Sequence, residues 1–283
     1  MEAVLVVGAR TTGLMLASEL ARRNIPVRVV DASPGIDPHV RANLIHSRTM
    51  EIFQGLGLAE AMLEGSYPEL GLRFYTNGEL AAHVPHAAID SPFPWGQSQS
   101  QAHVEGLLEQ HLNGFGVTVE RGVELTALVQ DADGVQATLR DDEGRERVVP
   151  APWLIGCDGA HSRVRQLIGC DFPGSGDPFP YMLADVAIEG ELQDSYGHIF
   201  LHDEGELFVF STLPEGRRLV CASLPRGSEV SGAPTLDAMQ EMVTRRGLAH
   251  LRIADPRWLA YFHIGYHLAA RFRQGRVFPV SYT

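Results

Sequence analysis

The chain has 283 residues, of which 45% are hydrophobic and 20% are charged, and its formal net charge is −12. At a typical ~150 residues per domain, this length predicts one large domain or two interleaved domains. The acidic balance argues against a nucleic-acid partner, whose phosphates need basic side chains, but it is compatible with a local site for one bound anion.

Two further features of the composition concern the cellular location. No stretch approaches the ~20 apolar residues of a membrane span, and the N-terminus lacks the pattern of a signal peptide. The three cysteines, Cys157, Cys170 and Cys221, form no CxxC pair, a usage typical of a reducing compartment. The sequence therefore predicts a cytoplasmic protein without a membrane span.

The first 31 residues predict a β–α–β unit. Residues 3–7 are a continuous apolar run, which is typical of a strand buried on both faces in a parallel sheet. Residues 12–23 predict a helix that Asn24 ends, and residues 27–31 predict a second strand. Such crossovers are right-handed in nearly all proteins.

The middle of the chain predicts mainly antiparallel structure. Asn77-Gly78 lies between two short apolar runs and indicates a hairpin. A helix is predicted over 101–113, ended by Gly114, followed by a β-meander over 117–149. Residues 152–159 then predict a buried strand that enters a tight turn.

The last third predicts a second antiparallel group over 196–224 and a helix over 235–246. The fold class that follows is α/β: a Rossmann-like nucleotide-binding domain with a parallel sheet, interrupted by an antiparallel-sheet (α+β) domain.

The stretch GARTTG, residues 8–13, is a variant of the dinucleotide fingerprint. Gly8 allows a tight turn, Gly13 lets the helix pack close to the sheet, and Asp31 stands where a ribose-binding carboxylate is expected. Arg10 occupies the middle position, where glycine normally lets the backbone approach the pyrophosphate. Its guanidinium either turns outward or lies along the pyrophosphate, or its side chain fills the phosphate space and weakens binding.

Three more stretches carry a family resemblance: RANLIHSRTMEIFQGLGL (41–58), SQSQAHVEGLLEQHL (98–112) and WLIGCDGAHSRVRQLIG (153–169). With the first fingerprint, they resemble the single-component FAD-dependent aromatic hydroxylases, the p-hydroxybenzoate hydroxylase-like flavoprotein monooxygenases. The resemblance implies a monooxygenase that uses FAD, NAD(P)H and O₂ to hydroxylate a small phenolic substrate through a C4a-hydroperoxyflavin. A homo-oligomer is also compatible with it.

The resemblance also implies domains and site residues. An FAD-binding domain is expected over 1–70 and 101–170, and a substrate-binding domain over 71–100 and 171–270. Arg41 and Gln101 are expected at the flavin's phosphate region, and Asp158 and Gly159 form a second fingerprint for FAD and the nicotinamide cofactor. The predicted cofactor-binding residues are Gly8, Arg10, Thr12, Gly13, Asp31, Arg41, Gln101, Asp158 and Gly159.

Two residues near the second fingerprint, Arg163 and Arg165, have two interpretations: a phosphate contact or a solvated basic face. The pairs His198/His202 and His263/His267 have i,i+4 spacing but no third ligand in a known pattern, so no metal site is predicted. The sequence identifies no catalytic residue, because in this chemistry the cofactor carries the reaction.

The sequence departs from the family pattern after Phe278. The lead-in FRQGRVF (272–278) should precede a Gly-Asp element, but Ser281 and Tyr282 occupy those positions. The departure predicts a truncated or frame-shifted copy or a fragment, lacking the C-terminal part of its FAD-binding domain. With Arg10, it predicts weak FAD binding and little turnover. The alternatives are a non-catalytic flavoprotein-like module or remnant and, less in keeping with the CDGAHSRVR block, a nicotinamide-dependent dehydrogenase.

Overall fold

The computed structural model describes residues 2–39, 42–192, 195–201 and 206–280. The chain divides into two compact units. The first comprises Met1–Pro38, Val104–Ser175 and Gly265–Thr283, and the second comprises His39–His103 and Gly176–Ile264. Each unit is therefore built from more than one stretch of chain.

The secondary structure consists of strands and helices numbered here in chain order. The strands are β1 (Val4–Val7), β2 (Val27–Asp31), β3 (Leu44–Ile45), β4 (Tyr67–Glu69), β5 (Gly71–Thr76), β6 (Glu79–Pro85), β7 (Gly96–Ser98), β8 (Val119–Arg121), β9 (Glu124–Gln130), β10 (Val135–Arg140), β11 (Glu146–Ala151), β12 (Leu154–Gly156), β13 (Gly174–Glu189), β14 (Gly197–Leu201), β15 (Leu207–Thr212), β16 (Arg218–Ser223), β17 (Arg252–His267) and β18 (Val277–Pro279). The helices are α1 (Thr11–Ala21), α2 (Ser47–Gly55), α3 (Ala59–Leu63), α4 (Gln101–Gly114), α5 (Arg163–Leu167) and α6 (Leu236–Arg245).

The first unit is built on a five-stranded sheet in the order β18-β12-β1-β2-β8, with every neighbouring pair parallel. All four residues of β1 are buried, as the apolar run predicts. Parallel sheets are covered by other elements on both faces, so their central strands need apolar side chains on both sides. The α/β class and the buried strand are confirmed.

The predicted β–α–β unit is also confirmed, with small differences at the helix ends. Helix α1 runs over Thr11–Ala21 and buries Leu14 and Ala17. Asn24 follows with φ +59°, a left-handed conformation that asparagine tolerates and that stops a helix. The parallel pairing of β2 with β1 places the C-terminal end of β2 beside the turn that follows β1.

The meander of the first unit is shorter than the sequence predicted. Strands β9, β10 and β11 form an antiparallel sheet whose buried residues join the core under β1 and β12. Strand β8 instead extends the parallel sheet by pairing with β2. Gly122, with φ +67°, turns the chain between β8 and β9. Pairing with β2 buries Val119 and overrides the local meander pattern.

The second unit contains a seven-stranded sheet in the order β17-β13-β16-β15-β14-β5-β6. Neighbouring strands β13–β16, β16–β15, β15–β14 and β5–β6 are antiparallel, whereas β14 and β5 are parallel. The predicted hairpin joins β5 to β6, and Asn77 and Gly78 have φ of +52° and +81°. Two positive φ values are what a two-residue type I′ turn requires.

The two faces of this sheet pack differently. One face, with Met182, Phe208 and Val220, forms a core with Met239 and Val243 of α6. Thr235 caps α6 by accepting a hydrogen bond from the Ala238 amide at 3.1 Å. The alternate residues of the same strands point to the opposite face, as the twofold strand period dictates.

A small sheet, β3-β7-β4, also belongs to the second unit. It ties residues 44–69 to β7 through the pairings of Leu44 with Ser98 and Tyr67 with Ser98. Residues 44–69 therefore belong to the second compact unit, and the extents of the FAD-binding and substrate-binding domains stay a prediction. No helix among the described residues is long and apolar enough to cross a membrane.

Candidate functional site

Two glycines shape the turn between β1 and α1. A Cβ on Gly8, whose φ is +104°, would stand 2.3 Å from the carbonyl oxygen of Cys157. A Cβ on Gly13 would stand 1.9 Å from the carbonyl oxygen of Gly8. Both distances are far inside van der Waals contact, so glycine is required at both positions. The turn and the helix are thus packed directly against the end of β12.

The N-terminus of α1 emerges from this turn without a capping side chain. Arg10 is the N-cap residue, with extended φ −83° and ψ −178°, and the first turn contains no acidic residue. Thr11, Thr12 and Gly13 supply the first-turn amides. Uncapped amides and the positive end of the helix dipole favour an anion here.

Asp31 ends β2 beside this turn and is buried. Its Oδ2 accepts a hydrogen bond from the Ala9 amide at 2.5 Å, and its Oδ1 accepts one from the Ser33 amide at 2.7 Å. Nη1 of Arg121, from β8, lies 3.8 Å from Oδ2. A carboxylate has about four lone-pair positions, so capacity remains for ligand hydroxyls. The sequence analysis did not identify Arg121 or the bond to Ala9.

The side chain of Arg10 bridges two carboxylates of the first unit. Nη2 lies 3.3 Å from Oδ2 of Asp37, and Nη1 lies 3.3 Å from Oε2 of Glu105 on α4. The Arg10 side chain is 37% exposed, that of Asp37 18% and that of Glu105 0%. The φ of Arg10 is negative, so an arginine at this position of the fingerprint causes no backbone strain. The two ion pairs hold its guanidinium in this conformation.

The second fingerprint forms a turn after β12. Gly159 has φ +79°, and Oδ2 of Asp158 accepts a hydrogen bond from the Val164 amide at 3.0 Å. Oδ1 of Asp158 is buried and has no hydrogen-bond partner among the described residues. A buried carboxylate oxygen without a donor is costly, which makes it a candidate acceptor for a ligand hydroxyl.

The two arginines that follow have different surroundings. Arg165 is buried, donates to the carbonyl oxygens of Gly159 at 3.5 Å and Ala160 at 2.5 Å, and its guanidinium carbon lies 3.8 Å from the centre of the Phe172 ring. Arg163 is exposed and donates to the Thr126 carbonyl oxygen at 3.1 Å. Arg165 thus braces the Gly159 turn from within, and Arg163 lies on a solvated face.

Gln101 and Arg41 are the remaining predicted cofactor-binding residues. Gln101 is the first residue of α4 and is half-buried, while Leu108 on the same helix is fully buried. Arg41, His202, Ser281 and Tyr282 lie outside the described residues.

No group of three or more metal-ligating side chains is present in the described ranges 2–39, 42–192, 195–201 and 206–280. His198 and His267 have other partners: Nδ1 of His198 lies 3.1 Å from the Tyr75 hydroxyl, and Nδ1 of His267 lies 3.2 Å from the Phe172 carbonyl oxygen. These contacts give each imidazole a structural role.

The sheet face opposite α6 in the second unit is rich in aromatic side chains. The rings of Tyr181 and Phe262 stack with centres 5.2 Å apart, and Trp258 contacts His39 edge-on at 5.7 Å. Nε1 of Trp258 is buried without a hydrogen-bond partner among the described residues. We call this cluster of buried and partly buried side chains the aromatic face; it consists of Tyr181, Leu183, Leu219, Cys221, Trp258 and Phe262. The sequence analysis predicted the sheet but not these side chains.

A family model described as "FAD binding domain" matches residues 1–280. The chain is 29% identical over 278 residues to 6-methylpretetramide 4-monooxygenase of Streptomyces rimosus, with 97% of the chain and 49% of the relative aligned. It is 28% identical over 280 residues to pentachlorophenol 4-monooxygenase of Sphingobium chlorophenolicum, with 98% of the chain and 52% of the relative aligned.

Among solved structures, p-nitrophenol 4-monooxygenase PnpA of Pseudomonas putida DLL-E4 superposes with a TM-score of 0.88 at 25% identity. The match covers 99% of this chain and 72% of that one. The chain spans about half the length of the two curated relatives.

Proposed function

Because this chain belongs to the FAD-binding domain family, we propose that it binds FAD on the β1–α1 turn and takes part in hydroxylating a small phenolic compound with NAD(P)H and O₂. The relatives at 28–29% identity are named as monooxygenases of aromatic compounds. The observation that carries the proposal is the uncapped N-terminus of α1 between two obligatory glycines and the buried Asp31 carboxylate.

The residues of the first unit suit a dinucleotide. The first-turn amides, including that of Thr12, would bind the pyrophosphate, because they form the positive end of the helix dipole and no side chain caps them. Asp31 would accept hydrogen bonds from ribose hydroxyls, with its orientation held by the amides of Ala9 and Ser33. When bound, FAD would supply the redox chemistry, in which NAD(P)H is the reductant and O₂ the oxidant.

Other residues are assigned roles in the same proposal. Asp158, through its unpartnered Oδ1, would accept a hydrogen bond from a cofactor hydroxyl, at the turn that Gly159 permits. Gln101 and Arg41 would contact the flavin's phosphate region, as the resemblance implies.

The aromatic face is the proposed binding site for the substrate ring. Aromatic side chains stack on a planar ring and exclude water from it, and the unpartnered Nε1 of Trp258 offers a donor to a phenolic oxygen. Replacing Phe262 with alanine should weaken binding of p-nitrophenol, measured by its absorbance on titration, without changing affinity for FAD.

Titration of the purified chain with FAD, followed by quenching of flavin fluorescence, tests the cofactor site. We expect saturable binding in the micromolar range. Asp31→Asn should weaken it about tenfold, the size of one lost hydrogen bond to a charged group, while Asp31→Glu keeps more of the affinity. Asp90→Asn, at an exposed position of the second unit, is the matched control. Absence of binding at ~100 µM FAD would refute the proposal.

Turnover separates the monooxygenase from a module that only holds FAD. Hydroxylated product formed with NADPH oxidation in the presence of a phenol supports the enzyme. FAD binding without turnover for any phenol supports the non-catalytic module.

The proposal also covers the oligomeric state and the cellular location. A homo-oligomer is proposed by kinship alone and is tested by light scattering of the FAD-loaded chain. A cytoplasmic location is proposed from the cysteines, all of which are free thiols, and is tested by cell fractionation.

A further inference from the structure

Arg10 has spare hydrogen-bonding capacity at the anion-binding end of α1. A guanidinium carries five N–H donors, and that of Arg10 makes two side-chain hydrogen bonds within the described part of the chain. Both measure 3.3 Å, which exceeds the roughly 2.7–2.9 Å typical of bonds between a cationic donor and a carboxylate. The bridge therefore holds the guanidinium loosely and leaves donors available.

The position of Arg10 puts this capacity where phosphate is expected. Residue 10 is the N-cap of α1, and the helix has no side-chain cap and no acidic residue in its first turn. In the dinucleotide fingerprint this residue lies under the pyrophosphate. A side chain anchored there lies within reach of any phosphate bound to the first-turn amides.

The two carboxylates of the bridge are not equivalent. The Asp37 side chain is 18% exposed, whereas that of Glu105 is fully buried. A partly exposed carboxylate regains some water when its cation leaves, but a fully buried one does not. Separating Arg10 from Asp37 is consequently the less costly of the two movements.

We propose that Arg10 is a phosphate ligand of this site: Glu105 retains the guanidinium, and the pyrophosphate of the dinucleotide displaces Asp37 from it. The inference rests on the proposed FAD site and adds to it the residue that replaces the missing glycine contact. Arg10 thus exchanges one anionic partner for another, and Asp37 acts as an internal competitor of the ligand.

Isothermal titration calorimetry with FAD, ADP and adenosine tests this exchange. ADP carries the pyrophosphate without the flavin, and adenosine carries neither phosphate nor flavin. Arg10→Ala should weaken FAD and ADP about 10- to 100-fold, the loss expected for a hydrogen bond between charged groups, and leave adenosine unchanged. Arg10→Lys should lose less, because it keeps the charge.

Asp37→Asn should do the opposite and tighten FAD and ADP about two- to fivefold, because it removes a competing, partly exposed ion pair. Arg23→Ala is the matched control: it removes an exposed arginine just beyond the other end of α1, where Arg23 pairs with Glu19. Its affinities should equal those of the unmodified chain. Thermal melting of each variant shows whether it is folded.

The outcomes separate this inference from the proposed function. If Arg10→Ala binds ADP as tightly as the unmodified chain or more tightly, Arg10 obstructs the site and the inference is wrong, while the FAD site stands. If Asp37→Asn does not tighten binding, the competition is wrong. If the unmodified chain binds neither FAD nor ADP, the proposed function fails, and the inference fails with it.

Discussion

Gly13 and Gly8 lie so close together that a Cβ on Gly13 would stand 1.9 Å from the Gly8 carbonyl oxygen. The same Cβ would lie 3.3 Å from the Cβ of Cys157. The first turn of α1 is therefore in backbone contact with the end of β1. This contact fixes the direction in which the amides of the helix N-terminus point.

Replacing Gly13 with alanine should consequently destabilise the first unit and weaken FAD binding. The backbone carbonyl cannot move aside as a flexible side chain can, so we expect a loss of about 2–4 kcal/mol in the free energy of unfolding. Urea denaturation measures it. Gly106→Ala is the matched control, because a Cβ there meets nothing within 4 Å and alanine favours a helix by about 0.5–1 kcal/mol. Equal effects of the two substitutions would contradict the account.

The parts of this site that could be predicted from the sequence are those determined locally. Gly8 and Gly13 follow a buried strand at a spacing that implies a strand–turn–helix, and Asp31 ends the next strand. Parallel pairing of β1 and β2 then brings their carboxyl ends together. Each of these steps depends on neighbours within one β–α–β unit, so the pattern was sufficient.

The partners of Arg10 and the placement of β8 could not be predicted in the same way. Asp37 and Glu105 are 27 and 95 residues from Arg10 in the chain, and nothing in the local pattern links them. Likewise, Val119 pairs with Val29 of β2 although its surroundings in the sequence are typical of a meander. Contacts between distant segments are determined by tertiary packing, which overrides local preference.

Arg165 should contribute to stability far more than its neighbour Arg163. Its buried guanidinium donates to the carbonyl oxygens of Gly159 and Ala160 and lies on the Phe172 ring. Arg165→Ala removes the side-chain donor of the Ala160 oxygen and opens a cavity, while the Gly159 oxygen keeps its bond from the Ser162 amide. We therefore expect a loss of about 2–4 kcal/mol in unfolding free energy.

Arg163→Ala, at an exposed position two residues away, serves as the control and should change stability by less than about 0.5 kcal/mol. Guanidinium denaturation monitored by tryptophan fluorescence gives both values. Similar losses in the two variants would show that Arg165 does not brace the turn.

The cysteines should differ in their reactivity toward iodoacetamide in the native protein. Burial raises the pKa of the Cys157 thiol to about 12, with the Asp158 carboxylate adding to the effect, and burial raises the pKa of Cys221 to about 11. At about pH 8 only roughly one Cys157 thiol in ten thousand is the reactive thiolate. Cys170 is partly exposed, so we expect peptide mass spectrometry to find alkylation there first.

In denaturant all three cysteines should be alkylated at comparable rates, which provides the control. Native alkylation of Cys157 as fast as that of Cys170 would mean that the contact between the β1–α1 turn and the end of β12 opens readily.

Glu69 should make stability depend on pH. It is buried at the end of β4, where Oε2 accepts a hydrogen bond from the Ser211 hydroxyl at 3.3 Å and Oε1 has no partner among the described residues. Burial raises its pKa above the ordinary value near 4.5, and the Ser211 bond and His86 only partly offset that rise. The folded protein therefore holds this proton more tightly than the unfolded chain does.

The direction of the dependence follows from that difference in pKa. The stabilising contribution of Glu69 is fully present below about pH 4.5 and is lost as pH rises through the folded-state pKa. Glu69→Gln, which stays neutral, should have a higher free energy of unfolding than the unmodified chain at about pH 8, by about 1–3 kcal/mol, and this advantage should shrink as pH falls. Urea denaturation of both proteins from about pH 5 to about pH 8.5 measures the difference. Two curves that stay parallel over that range would mean that Glu69 titrates as it does in the unfolded chain, and that water or a cation reaches its Oε1.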